Sequence, residues 1–248
     1  MARPIVCSYS ESADVAGKLK ATSTKSQILA LLKRSGGSSV DELTRALGLA
    51  PMTVRQHLAE LERDGLVAAS EVRRPTGRPH FVYALTAGGE ETFPRRYDVL
   101  AELILKEVAS LEPDDIADLD SSRRTELVLE RVAERVASEH RSRFEGKELP
   151  DRVELLTAFL QEESGFAEYE RTEKGWEVRD YNCAYHKLVD SNQNVCHWHL
   201  TLMQKLLGED VQHERSLCAG SECCRFVIEP QSISASSIPV QTSAAPKN

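Results

Sequence analysis

The sequence predicts an α+β protein, largely helical, with a winged helix-turn-helix unit first and a cysteine-rich α+β unit last. Three observations carry this. Ile28 to Leu85 reads as three short helices followed by a hairpin, and amphipathic stripes recur between Glu90 and Glu163. Five of the six cysteines fall within 42 residues, among alternating strand-like and helical runs.

The first unit can be justified element by element. Ile28, Leu29, Leu31 and Leu32 give the first helix an apolar stripe at spacings of three and four. After Gly36-Gly37, Ser39 stands before Asp41-Glu42 as an N-cap does before an acidic first turn. Val40, Leu43 and Leu47 share one face of the second helix, and Gly48 stands just past its end. Leu49 and Ala50 alone separate Gly48 from Pro51, which opens a third helix. A second helix joined so tightly is the one that enters the DNA major groove.

Val54, Leu58 and Leu61 point the third helix inward, leaving Met52, Thr53, Arg55 and Gln56 on its outward N-terminal part. Arginine pairs bidentately with guanine and glutamine with adenine, so these residue types suit base readout. Leu66 to Arg73 and His80 to Leu85 read as strands, joined by a stiff, cationic link that carries Arg74 and Arg78. With Arg73 they would meet the phosphate backbone or the minor groove. A three-helix core with a merely charged hairpin is the plainer alternative. The Gly48 turn, the wing and the arginines agree over one stretch, and that favours double-stranded DNA.

Residues 1–21 read as a flexible arm, with Cys7 an incidental thiol, and 22–111 as the DNA-binding domain with a C-terminal helix. That helix spans about Glu90 to Leu111, striped by Tyr97, Leu100, Ile104, Val108 and Leu111. It would pack on its own domain or pair with its copy in a homodimer. Pro113 breaks an acidic stretch, so a helical linker or dimerisation region follows over 112–163, with helices at Thr125 to His140 and Asp151 to Glu163. Residues 164–229 read as an α+β sensor domain. Its strands lie at Phe166 to Arg171, Trp176 to Arg179, Val211 to Arg215 and Cys224 to Glu229, with a short helix after Cys183 and a longer one from Val195 to Leu207. Residues 230–248, rich in Ser, Pro and Ala, are expected to be disordered.

Charge separates the two ends. The net charge is -8, yet residues 21–98 hold 11 Lys+Arg against 9 Asp+Glu, while 99–248 hold 17 against 28. Any polyanion surface therefore belongs to the N-terminal part. No run approaches the length of a membrane span, and no signal peptide is legible near the start, so a cytoplasmic location is expected.

Cys183, Cys196, Cys218, Cys223 and Cys224 lie among His186, His197, His199 and His213. No CxxC pair marks a zinc ribbon or a thioredoxin-type motif. Thiols in a reducing compartment bind soft metals or iron–sulfur clusters rather than forming disulfides. Enzyme signatures are missing: there is no GxSxG elbow, Walker A loop or HExxH, and Asp114-Asp115 and Glu162-Glu163 look like solvated helix ends.

TVRQHLAELERDGLV and RRPTGRPHFVYALTAGGEETFPRRYDVL resemble bacterial winged-helix regulators of the ArsR/DeoR type, above all the SufR branch. The likeness runs over roughly Lys25 to Leu111 and Asp180 to Ile228. It implies a homodimeric repressor of iron–sulfur cluster assembly genes that carries a 4Fe-4S or 2Fe-2S cluster. NCAYHKLVDSNQNVC is similar to that branch's first two ligands, Cys183 and Cys196, and Cys224 stands where the third is expected. Some relatives carry a further cysteine after the long helix, where this sequence has Gly208-Glu209-Asp210, so a fourth iron could take Cys218, Cys223, a histidine, a carboxylate or an external ligand. Cys223 and Cys224 would point to opposite faces of a strand, so one of them binds, and the likeness selects Cys224. The alternative is a regulator whose cysteine domain holds structural zinc or senses a small ligand.

Overall fold

The computed structural model describes residues 23–72 and 80–230. The wing link with Arg73, Arg74 and Arg78, the N-terminal arm with Cys7, and the tail from 231 lie outside the described residues.

Helix α1 (Thr24–Ser35) is capped by Ser23, whose hydroxyl accepts from the Ser26 amide at 3.2 Å. Helix α2 (Val40–Leu47) begins with a reciprocal cap. The Ser39 hydroxyl accepts from the Glu42 amide, and the Glu42 carboxylate accepts from the Ser39 amide at 2.7 Å. Gly48 then turns the chain at φ +66°, a conformation that costs glycine nothing, and α3 (Pro51–Arg63) follows at once. Ile28, Leu32, Leu43, Val54, Leu58, Leu61 and Val67 form one core under these helices.

Strands β2 (Val67–Val72) and β3 (His80–Leu85) pair antiparallel, with Val67 opposite Leu85. A third strand, β1 (Ser38–Ser39), joins the other edge of β3 and was not legible beforehand. Two serines ahead of an acidic turn signal a cap, and only their tertiary position makes them a strand.

The expected continuous helix from Glu90 is broken. A single turn, α4 (Ala87–Glu90), is separated from α5 (Tyr97–Ala109) by a segment holding Pro94, which cannot donate to a helical ladder and restricts the residue before it. Gly89 lets α4 approach closely: a Cβ there would lie 2.1 Å from the Leu66 carbonyl oxygen. The stripe on α5 is also divided. Leu100 and Leu103 are buried, whereas Leu105 and Val108 are exposed.

Leu100 and Leu103 join a second, larger core. It is built from α5, α7 (Ser121–Phe144), α8 (Leu149–Ser164), α10 (Asn194–Leu207) and an antiparallel sheet. A one-turn helix, α6 (Pro113–Ile116), lies between α5 and α7. The sheet contains β4 (Ala167–Arg171), β5 (Trp176–Asp180), β6 (Val211–Arg215) and β7 (Cys224–Ile228), in the order β4-β5-β7-β6. Helix α10 lies along α7, and the short α9 (His186–Ser191) precedes it. Among the described residues, no helix is long and apolar enough to cross a membrane.

Candidate nucleic-acid interface and metal centre

The inward face of α3 is pinned by Val54, Leu58 and Leu61, so rotation about its axis is fixed and its other face is presented outward. On that face Met52 is 72% exposed, Arg55 and Gln56 are exposed, and Thr53 is half-buried. No side chain caps the N-terminus of α3, where Ala50 precedes Pro51. Glu60, one turn on from Gln56, pairs with Lys25 at 3.0 Å.

The cysteines come together from four segments. Cys183 lies in the loop between β5 and α9, Cys196 in the first turn of α10, Cys218 in a 3-10 turn (Leu217–Ala219), and Cys224 at the start of β7. Cys183, Cys196, Cys218 and Cys224 pack against the same core, and Cys218 lies close enough to the other three thiols to raise their pKa values. Cys183 is pushed far up by the neighbouring Cys218 and by burial. Burial and Cys218 push Cys196 up to about 11, and burial pushes Cys224 up to about 12. Four thiolates here would repel one another, and a bound cation or cationic cluster is what relieves that repulsion.

Two backbone amides already serve these sulfurs: that of Tyr185 donates to Cys183, and that of Leu217 to Cys224 at 3.5 Å. Cys183, Cys196, Cys218, Cys223 and Cys224 are in no disulfide. Among the described residues, no three His, Cys, Asp or Glu side chains converge on a single-ion site. The donor set is nevertheless soft and thiol-rich, the chemistry that takes an iron–sulfur cluster or a thiophilic metal.

Cys223 stands apart from this group. Its charged neighbours are Arg179, Glu177, Arg215 and Glu222, on the ion-paired face of the sheet where Arg179 meets Glu177 at 2.6 Å. Of the histidines, His186 places Nδ1 4.0 Å from the Cys218 sulfur. His197 is exposed. His199 is enclosed by Tyr185, Trp198 and Phe226, and His213 stacks on Phe226 at 4.7 Å.

Glu163 corrects an expectation. It is not a solvated helix end but is buried on the inner face of α8, accepting from the Tyr185 hydroxyl at 3.0 Å with Arg96 at 3.9 Å. The loop after β5 folds back across the end of α8 and removes Glu163 from water.

That same loop fastens the cysteine site to the winged helix. Asn182 is fully buried and donates to the carbonyls of Pro94 (3.1 Å) and Ser164 (2.9 Å). Arg95 donates to the Asn182 side-chain oxygen at 2.6 Å, to the Cys183 carbonyl at 3.4 Å and to the Glu90 carbonyl at 2.7 Å. The Arg96 amide donates to the Ala184 carbonyl at 3.1 Å. Glu90 continues the path to α1 through Lys33 at 2.5 Å, and Phe93 meets Phe166 edge-on at 5.1 Å. Sequence reasoning passed over Arg95 and Asn182. A polar residue directly before the first cysteine and an Arg pair directly after a proline were the available signals.

Residues 22–68 match the family model for winged helix-turn-helix DNA-binding domains. No curated protein matches the chain. A crystal structure of RV1404 from Mycobacterium tuberculosis is similar at 20% identity, covering 55% of this chain and 83% of that one, with a TM-score of 0.27. A superposition that loose carries no argument about this chain.

Proposed function

Residues 22–68 form a winged helix-turn-helix DNA-binding domain, and from that premise we propose that the chain is a transcriptional repressor whose operator affinity is set by an iron–sulfur cluster in its C-terminal domain. The observation that carries the cluster reading is the grouping of Cys183, Cys196 and Cys224 from three separate segments around Cys218. The SufR likeness noted in the sequence agrees with it and points to cluster assembly genes as the target. The thiol set would suit zinc as well as a cluster, and the SufR likeness is what favours the cluster. Bound there, the group would supply electrostatic compensation for the thiolates and a redox-sensitive crosslink between segments.

The remaining work falls to this chain's own residues. Arg55 and Gln56 read base edges, Met52 and Thr53 flank them, and Arg73, Arg74 and Arg78 hold the backbone or the minor groove. A homodimer presents two such surfaces to a two-fold operator. Its seam would lie on α5, where Leu105 is 69% and Val108 49% exposed beside an apolar groove of about 520 Å³ lined by Ile104, Val108 and Leu111. The Cys183 loop, held by Asn182 and Arg95, transmits the state of the thiol site to the segment that orients the winged helix.

The test pairs anaerobic iron and sulfide analysis with DNA binding on the same samples, using duplexes the protein itself selects from a random pool. We expect a coloured protein whose affinity changes about 5–150-fold when the cluster is removed. A colourless protein with stoichiometric zinc would establish the structural-metal reading instead. Equal affinity with and without the cluster would end the switch.

A further inference from the structure

Four thiols pack against one core here, one more than the SufR likeness assigns. Ser216 caps the 3-10 turn, its hydroxyl accepting from the Cys218 amide at 3.3 Å, and Gly220 closes the turn at φ +83°. The turn packs Cys218 against the same core as Cys183, Cys196 and Cys224, a set that does not include Cys223, and its Leu217 amide lies 3.5 Å from the Cys224 sulfur. His186, three residues after Cys183, places Nδ1 4.0 Å from the Cys218 sulfur. The neighbouring candidate is turned away. β7 alternates, so Cys224 and the buried Phe226 face the core, while Cys223 and Arg225 face the charged side of the sheet.

We propose that Cys218 supplies the fourth thiolate of the cluster, that His186 hydrogen-bonds its sulfur, and that Cys223 takes no part. This rests on the cluster reading above. Ligation replaces the proton on each of the four thiols by iron, and those protons go to solvent. A fully thiolate set shields every iron from exchangeable external ligands, and hydrogen bonds to sulfur help set a cluster's reduction potential.

The experiment is an alkylation footprint of the full chain, anaerobic, with and without reconstitution by ferrous iron and sulfide. Iodoacetamide adducts are read by mass spectrometry at each cysteine. Loading is expected to protect Cys183, Cys196, Cys218 and Cys224 together, leaving Cys223 equally reactive in both states. Protection of the other three with Cys218 still reactive would overturn the proposal and leave the cluster reading standing, and so would protection of Cys223 in its place. No retained iron and no protected cysteine would sink the cluster reading itself.

Two variants separate the roles. Cys218→Ser should lose iron to a chelator faster than the parent, while Cys223→Ser should lose it at the parent's rate. Equal rates for Cys218→Ser and the parent would count against the assignment. His186→Phe should keep its cluster and show a lower reduction potential, and an unchanged potential would remove His186 from the proposal.

Discussion

Arg55 shows how a single side chain takes its place from its neighbours. Val54 and Leu58 are fully buried, and with α3 fixed by them Arg55 cannot rotate away from the outer face. Arg55→Ala should cost about 1–3 kcal/mol per half-site contact and relax base preference at one position, read from titrations on single-base variants of the operator. Unchanged preference would take Arg55 out of the reading set. Its outward placement was legible in the sequence because helical periodicity sorts inward from outward positions. The places of Cys183, Cys196 and Cys224 on loop, helix and strand also follow from local pattern, whereas their choice as ligands came from the SufR likeness. Cys218 was not decidable, since a 3-10 turn of three residues leaves no period to read. Asn182 and Arg95 were invisible for another reason: their roles depend on a contact between residues 87 positions apart.

At the scale of elements, the helices and strands were legible where amphipathic stripes were long, and the misses fell where tertiary contact decides. β1 exists because β3 has a free edge beside it, and α4 separates from α5 because Pro94 intervenes. Helix α10 carries a consequence that no pattern announced. Burial among Tyr185, Trp198 and Phe226 depresses His199 to about 4, with His213 nearby adding to the effect, against an ordinary value near 6.5. Between those values the unfolded chain binds the proton and the folded one does not. Stability contributed by the neutral ring is thus fully present above about pH 6.5 and is lost as pH falls toward 4. Metal-free protein should lose about 2 kcal/mol between pH 7 and pH 5 from this source. Denaturant titrations at the two pH values, on the parent and on His199→Gln, check it. An equal loss in the variant would show that another group is responsible.

At the scale of the molecule, two cores are joined by a short polar route: Cys183, Asn182, Arg95, Glu90 and Lys33. Arg95 is the member that touches both sides. On the proposed reading, Arg95→Ala should leave iron content at the parent's level while the ratio of loaded to stripped DNA affinities falls toward one. A ratio equal to the parent's would show that the coupling runs elsewhere, through Phe93 and Phe166 for example. The order of the two cores along the chain also has a temporal meaning. The winged-helix core is complete once Leu85 has been made, but Cys224 is 139 residues further on. At about 5–20 residues per second, the nascent chain carries a finished reading head for roughly 7–28 seconds before the last thiol exists. On the proposed reading, every molecule begins life blind to iron, and its first competent state on DNA is the one that reports a cell without clusters.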